Sequence, residues 1–349
     1  MLKSKSYIAI PPGATIKEQL EDRGITQKEF AVRMCMSEKH ISKLINGEVQ
    51  LTHEVANRLE SVLGVPAKFW NNLESIYREK ILKVQEENSM DEDLKIASKL
   101  PYRSMVQNGW VKDTNNKADA VVQLRSFFEV ANLQALKNPL LNKIACRRLG
   151  ESEKADYALM VWAQRAKIVA RNIETQLINL KKLNSLIPEI RAMTEMNPSK
   201  FCPQLKQLLA DCGIAIVFLP HIGGSFLHGA TFPDGKKIVI GLTVRGKDAD
   251  RFWFSLFHEL GHVLLGHVLQ ANGTSEADEK AADLFARDTL IDQKSFYEFI
   301  ARNDFSVNSI KNFSRKIGVA SGIVVGRLQK ENYIKYNWHN DLKIKYEFA

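Results

Sequence analysis

Five residues open the reading. His258-Glu259-Leu260-Gly261-His262 places two imidazoles four positions apart, with a carboxylate directly after the first. On a helix, residues i and i+4 lie one above the other, so both rings can face one ion. The glutamate sits about 100° around the helix, within reach of a metal-activated water without being a ligand. This is the logic of H-E-x-x-H: two histidines hold Zn²⁺, water becomes acidic, and the glutamate takes the proton. A random chain of this length shows the string on the order of once in a hundred. The bland alternative is a pair of core histidines satisfied by hydrogen bonds. Context argues against it: Phe254, Phe257, Leu260, Val263 and Leu264 give the segment an apolar face that would anchor it in a core, and Gly261 leaves room for another backbone.

A catalytic zinc needs a third protein ligand and an open position. His267 follows His262 by five, one short of the spacing that would make it a third ligand, and reads as a group behind the ligands or in solvent. A downstream helix supplies carboxylates. Glu279 could ligate, and Asp283, one turn on, could orient a ligand histidine through its ring N–H. Glu276 and Asp278 compete in the same turn, and all of these acids would also favour a helix N-terminus. His228 and Arg287 are candidates for stabilising an oxyanion.

The elements around this site can be sketched. Gly213 to Pro220 is a β-branched apolar run, Ser225 to Phe232 a second strand, Asp234-Gly235 a hairpin turn, and Lys236 to Thr243 the returning strand. The histidine helix begins near Asp250, further helices continue to about Lys330, and the last stretch is polar and poorly patterned. A small sheet plus helices makes this third of the chain α+β. The hairpin edge could take a peptide as an added strand.

The string from Phe252 through His267, then Glu279-x-x-Ala282-Asp283-x-Phe285-Ala286 and Gly322 to Gln329, resembles the ImmA/IrrE family of gluzincin-type metallopeptidases over about residues 200 to 330. The resemblance implies a cytosolic Zn²⁺ endopeptidase that cleaves a helix-turn-helix repressor and so switches on a stress response or a mobile element. It implies His258, His262 and Glu279 as zinc ligands and Glu259 as the catalytic base. Many relatives carry Glu-Ala-Asn or Glu-Ala-Asp before the Phe-Ala pair; here Ala281 precedes Ala282.

The first 80 residues read differently. Thr15 to Arg23 is an amphipathic helix stopped at Gly24. Thr26 caps a second helix, with Glu29 in capping-box position. Ser37 caps a third, ending at Asn46-Gly47; Thr52 caps a fourth, ending at Leu63-Gly64; and Pro66 opens a fifth with Phe69, Trp70, Leu73 and Tyr77. Thr26 to Asn46 has helix-turn-helix spacing, with Phe30, Ala31 and Met34 inside the first helix, Cys35-Met36-Ser37 as the turn, and Ile41, Leu44 and Ile45 anchoring the second. Glu38, Lys39, Ser42 and Lys43 would face a major groove, with Ser37 at the helix start and Gln27 and Asn46 near phosphates. From Pro12-Gly13 to Tyr77 the pattern resembles the HigA-type antitoxin branch of the Xre repressors, with Cys35-Met36 where a glycine is usual. That resemblance implies a double-stranded DNA operator, a homodimer reading paired half-sites, and a toxin partner.

Between these regions, Asn108-Gly109 and Asp113 to Asn116 mark loops, and Ala155 to Leu186 reads as one long helix followed by Pro188. The expected multidomain layout is a helix-turn-helix bundle over 1–80, a helical connecting region over 81–200, and the α+β peptidase domain over 201–349. The composition, 45% hydrophobic and 26% charged, is that of a globular protein. No apolar run approaches the roughly 18–20 residues of a membrane span, and the N-terminal apolar stretch is too short for a signal-peptide core, so a cytoplasmic location is expected. Cys35, Cys146, Cys202 and Cys212 form no C-x-x-C pair, which excludes cysteine zinc sites and a disulfide framework from the expectation. The net charge of +9 gathers between Lys137 and Lys206, including Arg147 and Arg148, and reads as a solvated helical face. Two functional readings follow: a DNA-binding regulator with a zinc endopeptidase domain, or a HigA-like repressor or antitoxin whose peptidase fold is a sensor or inactive.

Overall fold

The computed structural model describes residues 2–138, 153–223, 228–243, 248–270 and 274–346. Cys146, Arg147, Arg148 and the expected strand residues 225–227 lie outside them. The chain divides into two compact units, Met1–Lys95 and Ile96–Ala349.

The first unit opens with a short antiparallel ladder, β1 (Leu2–Lys3) and β2 (Ile8–Ala9). Five helices follow: α1 (Pro12–Asp22), α2 (Gln27–Arg33), α3 (Glu38–Ile45), α4 (His53–Leu63) and α5 (Ala67–Ala97). Their starts are set locally. The side chains of Thr26, Ser37 and Thr52 each accept the backbone N–H three residues on, satisfying a donor that the first turn leaves open. Gly64 ends α4 in the left-handed conformation, φ +71°. Ile16, Phe30, Ala31, Met34, Ile41, Leu44, Leu59 and Trp70 form one buried core. Helix α1 starts at Pro12, three residues earlier than expected, with proline at a first position where its missing N–H is no loss, and Gly13 follows it. A Cβ there would overlap the Ile45 carbonyl, so only glycine lets α1 cross the end of α3 backbone to backbone. The fifth helix runs unbroken through residue 80, where the sequence placed a boundary.

The second unit contains α6 (Tyr102–Gln107), α7 (Lys117–Phe128), α8 (Glu153–Ala170), α9 (Leu180–Ala192), α10 (Pro198–Ala210), β3 (Ile214–Phe218), β4 (Gly229–Asp234), β5 (Lys237–Leu242), α11 (Ala249–Leu264), α12 (Glu276–Leu290), α13 (Gln293–Ile300), α14 (Val307–Ile317) and α15 (Ser321–Lys330). The loops expected at Asn108-Gly109 and before Asn116 are present. The sheet order is β3-β5-β4, with β3 parallel and β4 antiparallel to β5. Asp234 pairs with Lys237 across the hairpin, and Gly235 takes φ +62°. Ile214, Ile216, Ile238, Ile240 and Leu242 join the main core with Leu256, Phe257 and Leu260 of α11. On the other face Gly241 lies against the Trp162 ring of α8. Both faces are covered, so these strands read as unbroken apolar runs.

The single helix expected from Ala155 to Leu186 is two helices. Lys237 of β5 donates to the carbonyls of Ala170 (3.0 Å) and Ile173 (2.6 Å), satisfying the end of α8. The chain then runs extended beside α10: Gln176 N–H donates to Ala210 O and Asn179 N–H to Cys212 O. Asn179 caps α9, and Pro188 lies inside that helix rather than after it. Among the described residues no helix is long and apolar enough to cross a membrane.

Candidate metal centre

Helix α11 is apolar on most of its circumference, which buries His258, Glu259 and His262 to 8%, 3% and 5% exposure. Two contacts fix its pose. Gly261 faces α12 so closely that a Cβ there would stand 3.3 Å from Ala282 Cα and 3.1 Å from the Phe285 ring. At the other end residues 343–346 strap its first turn. Ala249 N–H donates to Ile344 O (2.9 Å), the Lys343 ammonium pairs with the buried Asp250 (2.8 Å), and Trp253 Nε1–H donates to Tyr346 OH (3.0 Å). The tail that looked unpatterned is therefore part of the support of the site helix. Phe254 departs from the expected buried face: it is 36% exposed, with its ring centroid 6.5 Å from that of His258.

Helix α12 begins in a reciprocal capping box between Ser275 and Asp278, and this sets where Glu279 lies. Nε2 of His258 and Nε2 of His262 stand 3.0 Å apart, and the Glu279 carboxylate reaches them at 3.3 Å and 3.4 Å. Two ligands about 2.0–2.1 Å from a zinc ion, at a tetrahedral angle, stand roughly 3.3 Å apart. The three donor atoms thus have the spacing of one face of a tetrahedral site, and the donor set suits Zn²⁺. Asp283 Oδ1 lies 2.7 Å from Nδ1 of His258, so Nδ1 carries a proton and Nε2 is the nitrogen that faces His262 and Glu279. Burial alone would push the His258 imidazole pKa down. The hydrogen bonds to Asp283 and Glu279 and the charge of Glu259 outweigh burial and raise it to about 9. Three carboxylates thus favour positive charge at this spot.

Glu259 lies beneath the edge strand β4. Its Oε2 accepts the Thr231 hydroxyl (2.7 Å), and Gly229 is bare where a Cβ would stand 2.8 Å from Oε1. Sequence reasoning did not pick out Thr231; only the fold brings it to Glu259.

The other sequence candidates separate clearly. Glu276 is exposed, and Asp278 caps α12 and pairs with His267 at 3.2 Å. His267 is buried, with Nδ1 3.0 Å from Nδ1 of His262. The helix has ended by then: Gly266 at φ +79° turns the chain back, which brings His267 behind the His262 ring, on the side away from His258 and Glu279. Arg287 is forked onto Asp288 (2.7 and 3.0 Å), and half-buried His228 precedes β4.

In the first unit α2 and α3 form the expected pair around a tight turn. Cys35 takes φ +50° there, and Arg58 donates to the carbonyls of Met34 (2.9 Å) and Cys35 (3.2 Å). Gln27, Ser37, Lys39, Lys43 and Asn46 are exposed and Ser42 is half-buried, so α3 presents a polar outer face.

Comparison with known proteins agrees with both units. A family described as helix-turn-helix matches residues 16–70. The M78 peptidase family, described as an IrrE N-terminal-like domain, matches residues 211–329. An uncharacterized HTH-type transcriptional regulator of Escherichia coli (strain K12), YddM, is 33% identical over 66 residues, 19% of this chain and 70% of that protein. The chain belongs to the helix-turn-helix transcriptional regulators through its first unit and carries an IrrE-like M78 peptidase domain in its second.

Proposed function

We propose that this protein is a DNA-binding regulator whose second unit is a zinc-dependent endopeptidase that cleaves a repressor or another regulatory protein in the cytoplasm. The convergence of His258 Nε2, His262 Nε2 and Glu279 at 3.0–3.4 Å carries the reading. These three residues would hold the ion. When bound, Zn²⁺ supplies Lewis acidity and makes water a nucleophile near neutral pH.

The remaining work falls to side chains of this chain. Glu259 accepts the proton of the attacking water and returns it to the leaving amine as the peptide bond breaks. Its bond to Thr231 keeps one carboxylate oxygen engaged and so aims the other. Asp283 holds His258 in the tautomer that ligation requires. Strand β4 is at the sheet edge above Glu259, and a substrate peptide would lie along it as an added strand, its scissile bond near the carboxylate.

In the first unit, Ser37, Lys39, Ser42 and Lys43 would enter a major groove, with Gln27 and Asn46 at phosphates, in a homodimer on a two-fold operator. A second reading draws on the regulator that the first unit resembles. In it the protein acts as a HigA-like repressor or antitoxin with a toxin partner, and the second unit serves as a sensor. Cleavage of a helix-turn-helix repressor in the presence of zinc separates the two. Wild type cleaves it, and Glu259→Gln loses about 10²–10⁴-fold in rate. Equal cleavage by both proteins contradicts the assigned base. No cleavage, with a shift of promoter DNA, favours the second reading.

A further inference from the structure

His262 has a partner behind it that the zinc-peptidase mechanism does not use. Its Nδ1 is 3.0 Å from Nδ1 of His267, and His267 Nε2 is 3.2 Å from Asp278 Oδ1. All three groups are at least largely enclosed: His262 and His267 are buried, and Asp278 is half-buried. Two imidazole nitrogens facing each other make a hydrogen bond in only one way, with one proton between them. If His262 offers the Nε2 lone pair to an ion, its proton is on Nδ1 and is donated to His267. His267 then carries its own proton on Nε2 and donates it to Asp278. The proton positions are thereby determined along the whole line.

The line does not stop at Asp278. The other carboxylate oxygen accepts Ser275 N–H and Ser275 Oγ–H, both at 2.8 Å, and the first of these, with Asp278 N–H donating to Ser275 Oγ, forms the capping box of α12. Glu279 is the next residue, and its Oε1 accepts the Thr274 hydroxyl at 2.8 Å. The same chain of bonds that orients His262 on α11 therefore ends on the helix terminus that presents Glu279.

We propose that His267 and Asp278 are positioning residues that lock His262 in its ligating tautomer and tie it to the start of α12, coupling two ligands of the metal centre. The proposal rests on the zinc-site reading above. It explains the function of a histidine five residues past His262: one short of the spacing of a third ligand, but returned by the Gly266 turn to the rear of the ring.

The test is zinc affinity of the full-length protein, measured by competition with a chromophoric chelator, together with thermal unfolding of the metal-free forms. His262→Ala abolishes tight binding and shows that the metal site is read correctly. His267→Ala weakens zinc 10–100-fold, the range for loss of a group that orients a ligand. His267→Asn, whose side-chain oxygen can replace Nδ1 as acceptor, recovers most of that loss. Asp278→Asn weakens binding in the wild-type background but adds little to His267→Ala, because the line is already cut. Wild-type affinity in His267→Ala, or additive effects of His267→Ala and Asp278→Asn, overturns the coupling and leaves the metal site standing. A wild-type protein that takes up no zinc, judged alongside His262→Ala, overturns both.

Discussion

Asp283 Oδ1 lies 2.7 Å from Nδ1 of His258, on the far side of the ring from His262 and Glu279. That one contact specifies which ring nitrogen carries the proton, and so which faces the metal position. Asp283→Ala should weaken zinc binding 10–100-fold in a chelator competition. Asp283→Asn keeps an acceptor oxygen and should fall between this variant and wild type. Unchanged affinity in Asp283→Ala would show that the ring is oriented by something else.

The turn of the helix-turn-helix holds Cys35 at φ +50°. A side chain in the left-handed region costs about 1 kcal/mol, and glycine does not carry that strain. Cys35→Gly should therefore stabilise the first unit by roughly 1 kcal/mol in chemical denaturation, and leave DNA affinity unchanged. A destabilised variant would mean that the lost thiol packing outweighs the relief.

The strap over α11 predicts a larger effect from a residue far from the metal. Lys343 and Asp250 are both about nine-tenths enclosed and pair at 2.8 Å. Lys343→Met leaves the Asp250 carboxylate buried without its partner, which costs about 3–5 kcal/mol. Tyr346→Phe removes the acceptor for Trp253 Nε1–H and should cost about 1–3 kcal/mol. Thermal unfolding of the two variants, metal-free and zinc-loaded, checks both figures. A change confined to the zinc-loaded form would contradict this purely structural role.

For the first unit, Lys39→Ala and Lys43→Ala should each reduce the salt dependence of DNA binding by about one unit of slope. The slope is read from mobility-shift titrations at several salt concentrations. An unchanged slope for both would remove α3 from the DNA interface.

What the sequence disclosed was local. Thr26, Ser37 and Thr52 were legible as caps because a cap bonds its own first turn. His258 and His262 were legible because four residues on a helix leave no choice of face, and Asp283 because it follows Glu279 by the same interval. What stayed hidden was decided by distant chain. The break after Ala170 depends on Lys237, 67 residues away, and the support of Trp253 on Tyr346, 93 residues away. Thr231 reaches Glu259 only because β4 pairs onto β5 above α11. Phe254 shares the apolar spacing of its buried neighbours, and periodicity alone cannot say that it stays partly exposed among the described residues.

The central claim is that His258, His262 and Glu279 form one zinc site. Metal content of the purified full-length protein after equilibration with zinc, measured beside His262→Ala, tests it most directly. About one zinc per chain in wild type, lost in His262→Ala, is the predicted result. A wild-type protein that retains no zinc, or a His262→Ala protein that retains as much as wild type, contradicts it.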